Sequence, residues 1–209
     1  MGKGKSIGID LGTTNSVVSI RSGKEIRVLL NLQNEELTRS VVGLNKEEFI
    51  VGTPAIDRMV TSPKDTIISV KRLMGRAYSD LEVQKVKKHY LYEIVPSDGK
   101  DGDVMVILGG KQYSPVQISS KILEKLKKDA ETRLNDTVKY AVITVPAYFT
   151  DKQIDATRKA GQLAGLKVQK ILDEPSSAAV AFGVDNIGQD ESKTILVYDL
   201  GGGTLDVSV

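Results

Sequence analysis

The chain has 209 residues, of which 40% are hydrophobic and 27% charged, and its formal net charge is +2. This near-balanced charge gives no indication of a nucleic-acid or membrane partner. The absence of cysteine excludes disulfides, thiolate metal sites and a cysteine nucleophile. No apolar run reaches the roughly 18 residues of a membrane helix, and the N-terminal residues lack an apolar signal core. We therefore expect a cytoplasmic protein with one sizeable domain or two small lobes.

The first apolar run ends in an acidic, glycine-containing turn. Residues 6–19 read SIGIDLGTTNSVVS, which predicts a strand, a tight turn and a second strand. A third strand at residues 26–30 would complete an antiparallel meander. Glycine lets backbone amides approach a ligand closely, and consecutive turn amides suit an anion such as phosphate. The turn around Gly12 is therefore a candidate phosphate site, although polar turns of this kind also occur without a ligand.

The next part of the chain, residues 40–113, is predicted to form a small mixed insertion that interrupts the main sheet. Its expected elements are strands at 41–44 and 49–51, a helix from Thr53 to about Val60, a helical or turn-like segment at 62–76, a charged helix at 80–88, and two or three strands between 93 and 113. Thr53 is the expected cap of the first of these helices.

The longest predicted helix follows this insertion. Ser114 is its expected cap, and Pro115 occupies the favoured first position. Apolar side chains recur every four residues and predict one buried stripe. The residues of this stripe are Ile118, Ile122, Leu126, Ala130 and Leu134.

A parallel β-α-β unit is predicted after this helix. An apolar strand at 140–145 is followed by a helix ending at Leu163, for which Thr150 and Gln153 form a capping box, and by a strand at 168–172. This order implies a right-handed crossover in a sheet covered on its faces. A short helix from Pro175 to Gly183 and a polar linker at 185–193 are expected next.

The chain closes on a second acidic hairpin. Residues 196–209 read LVYDLGGGTLDVSV, in which Asp199 takes the place of Asp10 in the first hairpin. The two hairpins could be unrelated polar turns, or they could together clamp a nucleotide. Because acid, glycine and hydroxyl residues recur in the same order, the sequence favours the nucleotide clamp. Hydroxyl donors and carboxylates that suit a hydrated magnesium ion accompany the glycines. They are the hydroxyls of Thr13, Thr14 and Thr204 and the carboxylates of Asp10, Asp199 and Asp206.

Six stretches together resemble the ATPase domain of the seventy-kilodalton heat-shock chaperones, the DnaK family. They are IGIDLGTTNS, VGTPA, SVKRLMGR, AVITVPAYF, DEPSSAAVAFG and VYDLGGGTLDVS, in the family's order. The resemblance implies an α/β fold, an actin-like or ribonuclease-H-like ATPase lobe with a mixed five-stranded sheet, flanking helices and a smaller inserted α+β subdomain. The implied division is a core at 1–39 and 114–187, the insertion at 40–113, and the first hairpin of a second lobe at 188–209.

The resemblance also implies roles for the matching residues. The phosphates would contact Gly12, Thr13, Thr14, Asn15, Gly201, Gly202, Gly203 and Thr204. Lys71, which the residues alone would leave as a surface lysine, would direct its ammonium at the terminal phosphate and the attacking water. The remaining catalytic or metal-shell candidates, acting mostly through water, are Asp10, Glu174, Asp199, Thr204 and Asp206. Pro146 would relay the nucleotide state to the rest of the protein.

The implied ligands are ATP or ADP and Mg²⁺, with K⁺ as a further candidate. The implied partners of the whole protein are unfolded polypeptides, a J-domain co-chaperone and a nucleotide exchange factor, and neither a nucleic acid nor a membrane is expected. The resemblance implies a Mg-dependent ATP phosphohydrolase whose adenosine-binding half lies outside this chain. We therefore expect the 209-residue chain alone to bind ATP weakly and to hydrolyse it weakly or not at all. A free edge strand that pairs with another copy is also expected.

Two positions depart from the family pattern. Arg39 stands where a proline is usual, and Ile154 stands where an arginine commonly helps to couple the domains. Three rival interpretations stay open at this point: an actin-like filament protein, a sugar kinase on the same fold, and a structural fragment without activity of its own. KRLMGR and VPAYF argue against the filament protein.

Overall fold

The computed structural model describes residues 4–23, 25–97, 102–186, 193–201 and 205–209. The strands in these ranges are β1 Lys5–Leu11, β2 Asn15–Ser22, β3 Glu25–Val28, β4 Thr38–Arg39, β5 Val42–Asn45, β6 Glu48–Val51, β7 Thr66–Ile67, β8 Ile94–Pro96, β9 Val104–Leu108, β10 Lys111–Tyr113, β11 Val138–Val145, β12 Lys167–Asp173, β13 Val197–Leu200 and β14 Leu205–Ser208. The helices are α1 Thr53–Met59, α2 Leu81–Lys87, α3 Pro115–Leu134, α4 Asp151–Leu163 and α5 Glu174–Asn186, with 3₁₀ turns at Pro63–Asp65 and Val70–Leu73.

The main sheet has the strand order β12-β11-β1-β2-β3. The β1, β11 and β12 strands are parallel to one another, whereas β1-β2 and β2-β3 are antiparallel hairpins. This arrangement confirms the predicted mixed sheet of five strands, and the two-residue strand β4 adds a sixth by pairing with β2. Alternate residues of β1, namely Ile7, Ile9 and Leu11, are buried, as the period of a pleated strand requires.

Helices α3 and α4 pack against each other and against the main sheet. The N-terminus of α3 is closed by the predicted cap, because Ser114 and Gln117 exchange side-chain hydrogen bonds with each other's backbone amides. At α4, the side chain of Gln153 accepts a hydrogen bond from the backbone N–H of Thr150. The stripe of α3 faces the core as expected, with Leu134 only partly buried at its end.

The insertion contains two small sheets, ordered β6-β5-β7 and β10-β9-β8. Its buried side chains, such as Val42 and Ile94, belong to the same hydrophobic cluster as Ile9 of the main sheet. This shared core holds the segment that carries Lys71 firmly against the main sheet. The domain boundaries at 39 and 114 stay a prediction.

Two helix ends differ from the sequence predictions. Gly52, and not Thr53, occupies the N-cap position of α1, with a backbone φ of 84° that favours glycine, and the Thr53 hydroxyl donates to Glu35 instead. Helix α5 continues through Gly183 to Asn186, because one glycine weakens a helix without breaking it. Most of the predicted linker lies outside the described residues, as do residues 98–101 of the predicted turn.

The last two strands form the predicted antiparallel hairpin. In its register Asp199 lies directly opposite Asp206, so the two side chains point to the same face. This hairpin contacts α5 through β13. Across the described ranges, no helix combines the length and the apolar character needed to cross a membrane.

Candidate functional site

A cleft of about 180 Å³ lies where three neighbouring parallel strands end. Asp10 is near the carboxyl end of β1, Pro146 directly follows β11, and Glu174 directly follows β12. Parallel strands bring these positions to one edge of the sheet, which is where ligands of open α/β sheets bind. The lining residues are Asp10, Gly12, Thr13, Thr14, Asn15, Lys71, Pro146, Glu174, Asp199 and Gly201.

These lining residues were all named from the sequence as site candidates. Asp206 does not line the cleft, although it shares a hairpin face with Asp199. Gly202, Gly203 and Thr204 lie outside the described residues. The individual roles assigned to these residues stay predictions, but the first hairpin, the Lys71 segment and the second hairpin do meet at one cleft.

Lys71 is a buried residue that forms an ion pair. It lies in the 3₁₀ turn Val70–Leu73, and its Nζ is 2.7 Å from Oε1 of Glu174. The side chains are only 9% and 18% exposed, so water screens this pair weakly. The Phe149 ring lies on another side of the ammonium, with its centroid 5.8 Å from Nζ. These contacts hold the ammonium at the wall of the cleft. The side chain of an exposed lysine, in contrast, would move freely.

Glu174 carries a perturbed carboxyl group. Burial raises the pKa of Glu174 above its ordinary value; Lys71 opposes this shift, and the carboxylates of Asp10 and Asp199 add to it. Three carboxylates thus share the cleft with one ammonium from its lining residues. This surplus of negative charge favours a cation within the site.

We expect the raised pKa of Glu174 to make stability depend on pH. The folded chain holds the proton at Glu174 to a higher pH than the unfolded chain, whose carboxyl titrates near its ordinary value of 4.5. Stability should therefore fall as the pH rises from that value through the raised pKa. The measurement is the urea unfolding midpoint of the wild type and of Glu174→Gln between about pH 4 and pH 8. As the pH rises over this range, the wild type should lose stability relative to the variant.

Glu124 provides a control of opposite sign. Hydrogen bonds from Lys128 and Lys121 lower the pKa of Glu124, so its contribution is present above the unfolded pKa and is lost as the pH falls through the folded pKa. The wild type should therefore lose stability relative to Glu124→Gln on acidification. A constant difference between the wild type and Glu174→Gln across the range would contradict the perturbed carboxyl.

Asp10 is held by a residue that sequence reasoning missed. Thr144 lies opposite Asp10 in the parallel pairing of β1 and β11, and its hydroxyl donates to Oδ1 of Asp10 over 3.0 Å. One oxygen of the Asp10 carboxylate is thereby fixed in place. The only signal in the sequence was a polar residue in an otherwise apolar strand, which is too common to indicate a function.

Asn15 is held from the side by Arg39, the residue that departs from the family pattern. Nη1 of Arg39 donates to Oδ1 of Asn15 over 3.1 Å. The two residues are direct partners in the pairing of β2 and β4. Because the Asn15 oxygen faces Arg39, its NH₂ group remains available as a donor.

The carboxylates suit a hydrated cation. In the described part of the chain, no three acidic or histidine side chains converge closely enough to bind a metal directly. Magnesium usually keeps several waters and meets a protein through one or two carboxylates. Asp10, Glu174 and Asp199, which line one cleft, provide this type of oxygen donor.

The turn has no room for a side chain at position 12. A Cβ atom at Gly12 would lie 2.0 Å from the backbone oxygen of Asn15, far inside contact distance. Glycine therefore allows the turn to fold tightly onto itself beside the cleft. This tightness is consistent with a backbone cradle for an anion.

Comparison with known proteins identifies the family. The Hsp70 protein family model matches residues 6–209. Over 208 residues the chain is 50% identical to the Chaperone protein DnaK of Stenotrophomonas maltophilia (strain R551-3), an alignment that covers 99% of this chain. The chain spans only 32% of the length of that relative. With a match over nearly its whole length, the chain belongs to the Hsp70 family.

Proposed function

We propose that the chain is the N-terminal part of the ATP-binding and ATP-hydrolysing domain of a DnaK-type chaperone, which couples hydrolysis to the binding and release of unfolded polypeptides. The observation that carries this proposal is the meeting of Asp10, Lys71, Glu174 and Asp199 with the turn at Gly12 around one cleft. The family membership supports it, because the acids, the lysine and the glycines stand where the resemblance requires them.

The residues of the cleft suit an in-line attack of water on the terminal phosphate. The turn amides hold the phosphates, and the Lys71 ammonium stabilises the negative charge that develops on the transferred group. Since an ammonium has three donors, Lys71 can keep its bond to Glu174 and still donate to a phosphate oxygen. Asp10 and Asp199 orient the attacking water. Asp10, Glu174 and Asp199 would hold Mg²⁺ through its waters, and the ion would supply positive charge that offsets the negative charge of the phosphates.

Pro146 is the proposed relay between the nucleotide and the rest of the protein. It is buried and lines both the 180 Å³ cleft and an adjoining cavity of about 220 Å³. The second cavity is also lined by Phe149 and Gln153, at the start of α4. A shift of the cleft wall would thus reach α4 directly.

The wider assignments extend this proposal to the whole protein. The ligands are ATP or ADP with Mg²⁺, with K⁺ as a further candidate ion. The partners are unfolded polypeptides, a J-domain co-chaperone and a nucleotide exchange factor, without a nucleic-acid or membrane partner. A cytoplasmic location agrees with the cysteine-free composition.

Binding of Mg-ADP to the 209-residue chain tests the proposal. Calorimetric titration should show saturable binding that weakens when Mg²⁺ is removed with EDTA. No heat of binding at millimolar nucleotide would contradict the proposed function. Sedimentation with and without ATP separates the filament alternative, because ATP-dependent pelleting would favour assembly over chaperone activity.

We also propose that the second hairpin pairs with another copy of the chain. Its outer face exposes Tyr198, Leu200 and Val207 by 61%, 70% and 55%. An exposed apolar face on a two-stranded sheet favours association. Sedimentation velocity should show dimers that increase with concentration and decrease in Val207→Lys; a strictly monomeric wild type would contradict the pairing.

A further inference from the structure

Ser40 lies behind the turn of the first hairpin and makes three contacts with residues 12–16. It directly follows β4 and is only 2% exposed. Its backbone N–H donates to the carbonyl of Thr14 over 2.9 Å. Its hydroxyl donates to the carbonyl of Gly12 over 2.8 Å and lies 2.9 Å from the hydroxyl of Ser16. Ser40 therefore anchors the turn from the side that does not line the cleft.

The direction of these hydrogen bonds follows from the number of protons. A serine hydroxyl has one proton, and that of Ser40 is directed to Gly12. Ser16 must then donate its own proton to the oxygen of Ser40, although either direction satisfies the distance alone. Since Ser16 is fully buried, the result is a water-excluded chain from Ser16 through Ser40 to the Gly12 carbonyl. Such a buried chain has no solvent to replace a lost donor.

The anchored carbonyls determine where the turn amides point. In a trans peptide plane, the C=O of one residue and the N–H of the next point in opposite directions. Drawing the carbonyls of Gly12 and Thr14 towards Ser40 turns the N–H groups of Thr13 and Asn15 to the opposite side. Thr13 and Asn15 are both lining residues of the cleft.

We propose that Ser40 is a positioning residue for phosphate binding, which orients the Thr13 and Asn15 amides through the Gly12 and Thr14 carbonyls. Ser40 itself does not touch the phosphate. The inference rests on the proposed function, since it takes the bound anion to be a nucleotide phosphate. Removal of the Ser40 hydroxyl should therefore lower the affinity for the ligand by more than a loss of fold stability alone can explain.

Ser40→Ala tests this inference, with Ser120→Ala as the matched control. Ser120 is also buried, and its hydroxyl also donates to a backbone carbonyl, that of Gln117 over 2.7 Å, but on α3. In Mg-ADP titrations of the 209-residue chain, Ser40→Ala should bind about tenfold more weakly than the wild type. Ser120→Ala should bind as the wild type does, and Ser40→Thr, which keeps the hydroxyl, should recover affinity.

The amide resonances of Thr13 and Asn15 give a second readout. In ¹H–¹⁵N spectra without ligand, Ser40→Ala should shift both resonances, whereas Ser120→Ala should leave them in place. If Ser40→Ala does not fold, Ser40→Cys keeps an atom at the same place with a weaker donor and should weaken binding in the same direction. Unchanged affinity in folded Ser40→Ala, or in Ser40→Cys where Ser40→Ala does not fold, overturns this inference alone. Failure of the wild type to bind Mg-ADP overturns the proposed function.

Discussion

Lys71→Met is expected to lower the rate of ATP hydrolysis by about 10²–10³-fold, the usual cost of removing one donor aimed at developing charge. Among the residues that line the cleft in the described ranges, Lys71 carries the one basic side chain. Methionine retains most of the apolar stem but cannot donate to a phosphate oxygen. The loss should appear in the kcat of the full-length parent protein, measured as phosphate release at saturating Mg-ATP, because the charge grows in the transition state.

Lys125→Met is the matched control for this substitution. Lys125 also pairs with a buried carboxylate, that of Asp129, but on α3. Each substitution removes the lysine from an ion pair and leaves the carboxylate without it in the protein interior, so both should lower the unfolding midpoint. Only Lys71→Met should slow turnover. Equal kcat for Lys71→Met and the wild type would contradict the proposed role of the ammonium.

The elements of the main sheet were predictable because their signals are local. Alternating apolar residues in 6–19 fix which side of each hairpin strand is buried. The near-continuous apolar sequence of β11 is typical of a strand that lies between two parallel neighbours, here β1 and β12. The cap of α3 is also a local pattern, since Ser114 and Gln117 are three residues apart. Strand β4 has no such signal. Two residues show no periodicity, and β4 exists because β2 offers an edge to pair with.

The site was predictable where a motif repeats and unpredictable where distant residues meet. Asp10 and Asp199 are recognisable because the same order of acid and glycine occurs twice. The pairing of Lys71 with Glu174 spans 103 positions and follows from the fold alone, so only the family resemblance singled out Lys71. Ser40 and Thr144 had neither a repeat nor a family role to mark them, and their contacts with the turn and with Asp10 appear only in three dimensions.

The two hairpins contribute differently to the cleft. The first is fixed by the core below it, by Ser40 behind it and by Thr144 beside it. The second contacts the rest of the chain chiefly through α5, with apolar side chains of its outer face exposed. A ligand that bridges Asp10 and Asp199 would therefore draw the second hairpin to a first hairpin that is already in position. We therefore expect an added side chain in the first turn to disturb the proposed phosphate binding more than an added side chain in the second hairpin.

Gly12→Ala is expected to destabilise the chain by about 3 kcal/mol, which lowers Tm by roughly 6–12 °C for a domain of this size. The new Cβ would lie 2.0 Å from the Asn15 backbone oxygen, and a backbone atom cannot rotate away as a side chain can. The turn must open, so Mg-ADP binding should also be lost. Gly43→Ala is the control, because its Cβ meets atoms at ordinary distances of 3.4–3.6 Å. Scanning calorimetry and nucleotide titration that showed no difference between the two variants would mean that the Gly12 turn is neither tight nor the phosphate cradle.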